Sequence, residues 1–232
     1  MPTIVIASPK GGAGKSTTAV LLGTELAHAG AEVAMLDCDP NHSLTLWAGR
    51  SALPDRIDVL SDVGESDIVR RIKGQDQDGR IVIVDLEGVA SRLVSRAISQ
   101  ADLVITPMRA TTLDATIGAR ALQLIGEEEE ALDREIAHAV VFTMTRAIRS
   151  RQHKGIIASL SAQGVDVIEP GLLERGAFSA LFEFGGDLRT MPPQGNMEGA
   201  RDNARAFAMA VYARLTGEAG TEGKGTAIPA EA

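Results

Sequence analysis

Apolar, largely β-branched runs recur along the chain at residues 3–7, 33–36, 57–60, 81–84, 103–106, 139–143 and 165–168. They are near-continuous rather than alternating, the pattern expected of strands covered on both faces, as parallel sheets are. Stretches with helical spacing lie between several of them, at 16–29, 91–99, 113–130 and 150–163. A last helix follows the loop Met191-Pro-Pro-Gln-Gly195 and carries the apolar row Ala200, Ala204, Phe207 and Val211. Alternation of this kind predicts an α/β fold, a doubly wound, mostly parallel sheet flanked by helices and joined by right-handed crossovers. Ligands in such sheets bind beyond the carboxyl ends of the strands, and the polar motifs of this chain cluster there.

Directly behind the first run stands Ser8-Pro-Lys-Gly-Gly-Ala-Gly-Lys-Ser-Thr-Thr18. Glycines at 11, 12 and 14 let successive backbone N–H groups point into one concavity, Lys15 adds a positive charge, and Ser16 offers a hydroxyl to Mg²⁺. The helix that begins here presents its positive end to an anion, and Ala19, Leu22, Leu26 and Ala29 supply the face that packs it down. This is a cradle for nucleotide phosphates. Pro9 stands where the strict phosphate-loop pattern has its first glycine, and a second lysine, Lys10, precedes the glycines.

Two acidic motifs follow later strands. Asp37-Cys-Asp39-Pro-Asn41 comes after the run at 33–36, and Asp85-Leu-Glu87-Gly88 after the run at 81–84. On residues alone these carboxylates either order Mg²⁺ waters and an attacking water, or cap the turns in which the strands end.

Lys10-Gly-Gly-Ala-Gly-Lys15-Ser16 resembles the deviant Walker A motif of the ParA/MinD family of ATPases. Asp37–Asn41 is similar to that family's D-x-D-P-Q segment, and the run ending at Asp85 to its Walker B strand. Ala101-Asp-Leu-Val-Ile-Thr-Pro107, leading into Thr111-Thr-Leu-Asp-Ala-Thr, looks like its A-D-x-V-I-x-P strand, and Leu173–Leu181 like its R-x-A-[FY]-x-x-A region. The likeness spans roughly residues 3 to 215, and the compact length fits the short ParA proteins of plasmids and their conjugative-transfer relatives.

The resemblance implies a P-loop NTPase fold of the SIMIBI type and a slow, partner-stimulated hydrolysis of ATP with Mg²⁺. It implies a nucleotide held by Lys10, Gly11, Gly12, Ala13, Gly14, Lys15, Ser16 and Thr17. By the same carry-over Lys10, Lys15 and Asp39 are the catalytic groups, Asp39 orienting the attacking water, and Ser16, Asp37 and Asp85 serve the metal. Lys10 is expected to cross to the nucleotide of a second protomer, making an ATP-dependent homodimer in which each triphosphate receives a cation from its neighbour. A ParB-type or other adaptor is the expected stimulating partner. The chain departs from the family at Asn41, commonly glutamine, and at Glu87-Gly88, where small or proline residues often follow the aspartate. A base pocket is expected at 143–146 and 169–170.

Composition narrows the setting. At 232 residues with 44% hydrophobic content, the chain is expected to form one domain over 1–217 with a disordered Gly- and Ala-rich tail over 218–232. No segment approaches the roughly 18 apolar residues of a membrane span, and the tail lacks the basic amphipathic helix of a MinD-type membrane ATPase, so a cytoplasmic protein without membrane recruitment is expected. A single cysteine, Cys38, excludes a disulfide framework and thiolate clusters and reads as a buried small side chain, while His28, His42, His138 and His153 show no zinc spacing. Trp47, three residues after Leu44, reads as a helix anchor, and Glu127–Glu130 as a solvated helix end.

Net charge is −8, so the global field repels nucleic acid and any DNA contact must be local. Arg146, Arg149, Arg151 and Lys154 form one acid-free cluster, and Arg201 and Arg205 lie one turn apart on the last helix, opposite its apolar row. They are either a solvated face or a surface for nonspecific double-stranded DNA, with nucleoid association in the ATP state; at 3% aromatic residues, base stacking is not expected. A P-loop small-molecule kinase or ligase, and a non-hydrolysing nucleotide-switched scaffold, are the competing classes.

Overall fold

The apolar runs become β1 (Thr3–Ile6), β2 (Glu32–Cys38), β3 (Ile57–Leu60), β4 (Arg80–Leu86), β5 (Leu103–Arg109), β6 (His138–Thr143) and β7 (Asp166–Ile168). They form one parallel sheet in the order β3-β2-β4-β1-β5-β6-β7. The computed structural model describes residues 1–76, 79–88 and 91–217, and only the backbone of 112–121; the tail expected over 218–232 lies outside the described residues. The helices are α1 (Lys15–His28), α2 (Ser43–Ala48), α3 (Ile68–Lys73), α4 (Arg92–Ile98), α5 (Thr112–Leu132), α6 (Arg151–Ala162), α7 (Gly176–Phe184) and α8 (Met197–Leu215).

Alternate strand residues separate two cores. Ile4 and Ile6 of β1 and Ala139 and Val141 of β6 pack with α1, α2, α7 and α8, where Trp47 and Phe207 are fully buried. Val5 turns to the opposite layer with α3, α4 and α5, and Val140 and Phe142 pack with α6. The sheet is thus covered on both faces, which is why its runs read as continuous rather than alternating. Helix α1 is buried nearly all round, not along a single face, because it lies between the sheet and α8, α7 and α2.

β2 and β4 both run past their apolar runs into acids. β2 carries Asp37 and Cys38, and β4 carries Asp85 and Leu86, because the parallel ladder continues through Asp37↔Asp85 and Cys38↔Leu86. Ladder hydrogen bonds thus hold two acids inside the sheet.

The core layer of α1 is tied down by a clamp of buried charge. Asp187 is 1% exposed and accepts hydrogen bonds from Arg189 N (2.6 Å), Thr190 N (2.9 Å) and Thr190 Oγ1 (3.2 Å), while His28 Nε2 lies 2.7 Å from its second oxygen. Arg189 forms a two-pronged pair with Glu25 of α1, at 2.7 and 2.9 Å. Trp47 Nε1 donates to Gly186 O at 2.9 Å, so the anchor expected of this residue joins α2 to the same segment. No helix among the described residues is long and apolar enough to cross a membrane.

Candidate nucleotide-phosphate site

The segment from Pro9 to Gly14 leaves β1 and turns into α1 through two residues that L side chains rarely imitate, Gly12 (φ 72°) and Gly14 (φ 89°). Gly14 stands at the N-cap, where no side chain caps the helix and no acid occupies the first turn. The first amides of α1 are therefore left for an external anion. Remote side chains fix the loop from behind: Thr143 Oγ1 at the end of β6 donates to Ala13 O (2.8 Å), and Arg109 Nη2 at the end of β5 donates to Gly12 O (3.2 Å). Within α1, Thr18 Oγ1 donates to Gly14 O (2.7 Å).

The loop opens onto a cleft of about 540 Å³ lined by Gly11, Gly12, Gly14, Lys15, Ser16, Thr17, Asp39, Asn41, Glu87 and Gly88, with Met144 and Phe182 on its far side. Lys15 is 7% exposed, its ammonium brought to the floor of the cleft. Gly88 permits this approach, since a Cβ there would come within 3.3 Å of Gly11 N and 3.4 Å of Lys15 Nζ. Lys10 is half-buried on the outer arm of the loop and is not among the cleft's lining residues.

The three aspartates differ sharply. Asp85 is fully buried and neither carboxylate oxygen closes a hydrogen bond of normal geometry. Burial pushes its carboxyl up to about 7; the neighbouring Ser16 hydroxyl and Lys15 ammonium pull the other way, and Asp37 and Asp39 add to the rise. Asp37 is committed locally, its Oδ2 accepting from Thr45 N (2.8 Å) and Thr45 Oγ1 (2.7 Å), so it fastens the start of α2. Asp39 faces the cleft and its Oδ1 accepts from Asn41 N and Asn41 Nδ2, each at 2.8 Å. Cys38 between them is buried, and burial together with Asp37 and Asp85 raises its thiol far above the ordinary range.

A second cavity of about 110 Å³ adjoins the loop at Gly14 and Thr17. Of the stretches expected to hold a base, Thr143 and Met144 line this cavity and residues 169–170 do not; Leu172–Arg175 and Phe178 complete the lining. Asn203 of α8 braces that wall, accepting from Leu173 N (2.9 Å) and donating to Gly171 O (2.8 Å). Thr143, Arg109 and Asn203 carry no local sequence signal for these roles, because each acts on backbone distant in the chain.

The basic residues divide between layers. Arg146, ahead of α6, and Arg151 and Lys154 in its first turn are exposed, whereas Arg149 is paired with Glu169 through two hydrogen bonds of 2.8 and 3.0 Å. Arg201 and Arg205 are exposed on α8, which packs on the other face of the sheet, and Arg201 Nε donates to Leu188 O (3.0 Å). The two groups do not share one helical layer. Glu129, in the acidic end of α5, accepts from Ile136 N (2.8 Å) and so closes the turn into β6.

A glycine-rich turn, an uncapped helix end and two acid-bearing strands in register thus meet at the carboxyl edge of the sheet. The family model "CobQ/CobB/MinD/ParA nucleotide binding domain" matches residues 4–186. The chain belongs to this family. It is 66% identical to the protein ParA of Rhizobium radiobacter over 218 residues, 93% of this chain and 98% of that relative. To the protein virC1 of Rhizobium rhizogenes it is 26% identical over 80% of this chain and 82% of that one. Among solved structures, the Cyanothece McdA–ATP complex superposes with a TM-score of 0.73 at 21% identity, covering 94% of this chain and 96% of that one, which shows the shared fold. The CobQ/CobB/MinD/ParA membership accounts for the α/β architecture and for a nucleotide-binding site at the carboxyl edge of the sheet.

Proposed function

We propose that this chain is a ParA-type ATPase that dimerises on Mg-ATP, hydrolyses it slowly and binds double-stranded DNA without sequence preference, so as to partition or position plasmid DNA. The observation that carries the reading is the buried, unpartnered Asp85 beside Ser16 and Lys15, beneath a loop whose amides are left uncapped. An unpaired buried carboxylate is costly unless a ligand answers it. Magnesium with a triphosphate does so.

Among the described residues, no group of three or more His, Cys, Asp or Glu is arranged to hold a metal by itself. That fits an ion held by Ser16 and Asp85 together with phosphate oxygens. Bound there, Mg²⁺ would neutralise charge on the β- and γ-phosphates. Lys15 and the amides of residues 11–17 would bind and orient the phosphates, Asp39 would hold the attacking water, and Asp37 would support through α2. The cavity between Thr143 and Phe178 would take the base.

Lys10 is assigned to the partner's nucleotide, since two triphosphates brought face to face repel unless each gains an added cation. DNA contact is assigned to Arg146, Arg151 and Lys154 with Arg201 and Arg205, and Arg149 acts there only if it leaves Glu169. The setting is the cytoplasm, on the nucleoid when ATP is bound, with a ParB-type or other adaptor as stimulator.

Sedimentation with no nucleotide, ADP or a slowly hydrolysed ATP analogue, repeated with duplex DNA at two salt concentrations, tests the reading. The analogue alone should produce a dimer, Lys10→Ala should prevent it, and DNA binding should appear with the dimer and weaken steeply with salt. Arg151→Glu with Lys154→Glu should weaken DNA binding and leave dimerisation intact. A dimer indifferent to nucleotide would overturn the switch.

A further inference from the structure

Glu87 leaves the end of β4 half-buried and lines the same cleft as Lys15, Ser16 and Asp39, yet no role above uses it. Its place follows from strand pairing. Asp37 lies opposite Asp85 and Cys38 opposite Leu86, and there the ladder ends, with Asp39 and Glu87 the first residues beyond β2 and β4. Adjacent strands are about 4.8 Å apart, and both residues that follow this pair, Asp39 and Glu87, line the same cleft. Glu87 therefore shares with Asp39 the edge of the sheet that faces the phosphate loop.

The residue after it is pressed against the phosphate loop, for a Cβ on Gly88 would meet Gly11 N at 3.3 Å and Lys10 C at 3.4 Å. That contact keeps the Glu87 backbone against the glycine-rich loop. Glu87 forms no hydrogen bond or ion pair with another described residue. Asp39, by contrast, has Oδ1 taken by both donors of Asn41. One oxygen of Asp39 and two of Glu87 thus remain to grip a water above the phosphates.

We propose that Glu87 is a second water-holding carboxylate of the ATPase site, sharing with Asp39 the orientation of the attacking water. This rests on the ATPase reading given above. In the step it serves, the water oxygen bonds to the γ-phosphorus as the bond to the β,γ-bridging oxygen breaks. The electron pair leaves with ADP, and the water's protons end one on inorganic phosphate and one in solvent. Glu87 and Asp39 accept hydrogen bonds from that water and aim its lone pair at phosphorus.

The test is single-turnover hydrolysis of γ-labelled ATP by the full-length wild type, Glu87→Gln and Glu87→Asp, beside the affinity of each for a fluorescent non-hydrolysed ATP analogue and for ADP. Glu87→Gln should slow turnover at saturating ATP at least tenfold while analogue and ADP affinities stay within twofold, and Glu87→Asp should recover part of the rate. Wild-type turnover that persists unchanged in Glu87→Gln overturns this role alone. So does weaker analogue binding, which would make the residue a binding group, or tighter binding with no loss of rate, which would make it a repulsive gate. A wild type that releases no phosphate overturns the ATPase reading and this role together.

Discussion

Two buried acids, Asp85 at the phosphate cleft and Asp187 in the clamp, are almost equally hidden from water yet stand in opposite electrostatic conditions. Asp85 closes no hydrogen bond of normal geometry, and burial, only partly offset by Ser16 and Lys15, raises its carboxyl to about 7. At Asp187 burial pushes the same way, but donors from Arg189 N, His28 and Thr190 N outweigh it and leave the carboxyl below its ordinary value. Glu25 answers Arg189 in the same segment. The clamp is complete without any ligand, so its charges hold structure; the cleft is incomplete, so its charges anticipate one.

The largest expected effect falls on the incomplete side. Lys15→Ala should lower nucleotide affinity on the order of a hundredfold, since it removes the buried cation facing the phosphates. Titration with a fluorescent ATP analogue measures this, and unaltered affinity would remove the cleft from the comparison. On the complete side, Asp187→Ala strands several donors and one ring nitrogen. It should cost about 3 kcal/mol of folding stability by denaturant titration, with nucleotide affinity of the folded protein unchanged. A loss below the error of the measurement would mean that the clamp holds nothing.

Asp85→Asn sharpens the contrast. Without ligand the variant should be as stable as the wild type or more so, because a desolvated carboxyl gives way to a neutral amide, while magnesium-dependent enhancement of nucleotide affinity falls about tenfold. Equal destabilisation by Asp85→Asn and Asp187→Ala would erase the distinction. The smallest effect is in acid. The folded carboxyl of Asp187 is lowered, so its contribution is present above the ordinary carboxylate value of 3.8 and is lost as pH falls below it. Stability of the wild type should therefore drop more steeply below about pH 4 than that of Asp187→Ala, and parallel curves would refute that linkage.

The cleft was far more legible in the sequence than the clamp. The phosphate loop is contiguous, and its glycines, Lys15 and Ser16 act through local backbone geometry that their order already specifies. The strands were equally readable, since a parallel sheet buried on both faces writes its residues as unbroken apolar runs. The short α3 and α7 escaped, because six to nine residues of helix carry little periodic signal and form by packing on a finished core. Strand ends escaped as well. Asp37 and Asp85 looked like residues beyond the strands until pairing with each other drew them into the ladder.

By itself the sequence determined the α/β class, the strands and their order along the chain, the phosphate loop and the acids that follow β2 and β4. Tertiary structure alone decided their order in space, and with it that Asp37 pairs with Asp85 in the ladder and that Asp39 and Glu87 line one cleft. It also set Thr143 and Arg109 behind the loop, and it separated the basic residues of α6 from those of α8. The physical reason is range. Turn geometry, helix spacing and burial pattern act over a few residues and leave a local trace, whereas a contact between residues 13 and 143 exists only after the strands between them have been sorted into one sheet.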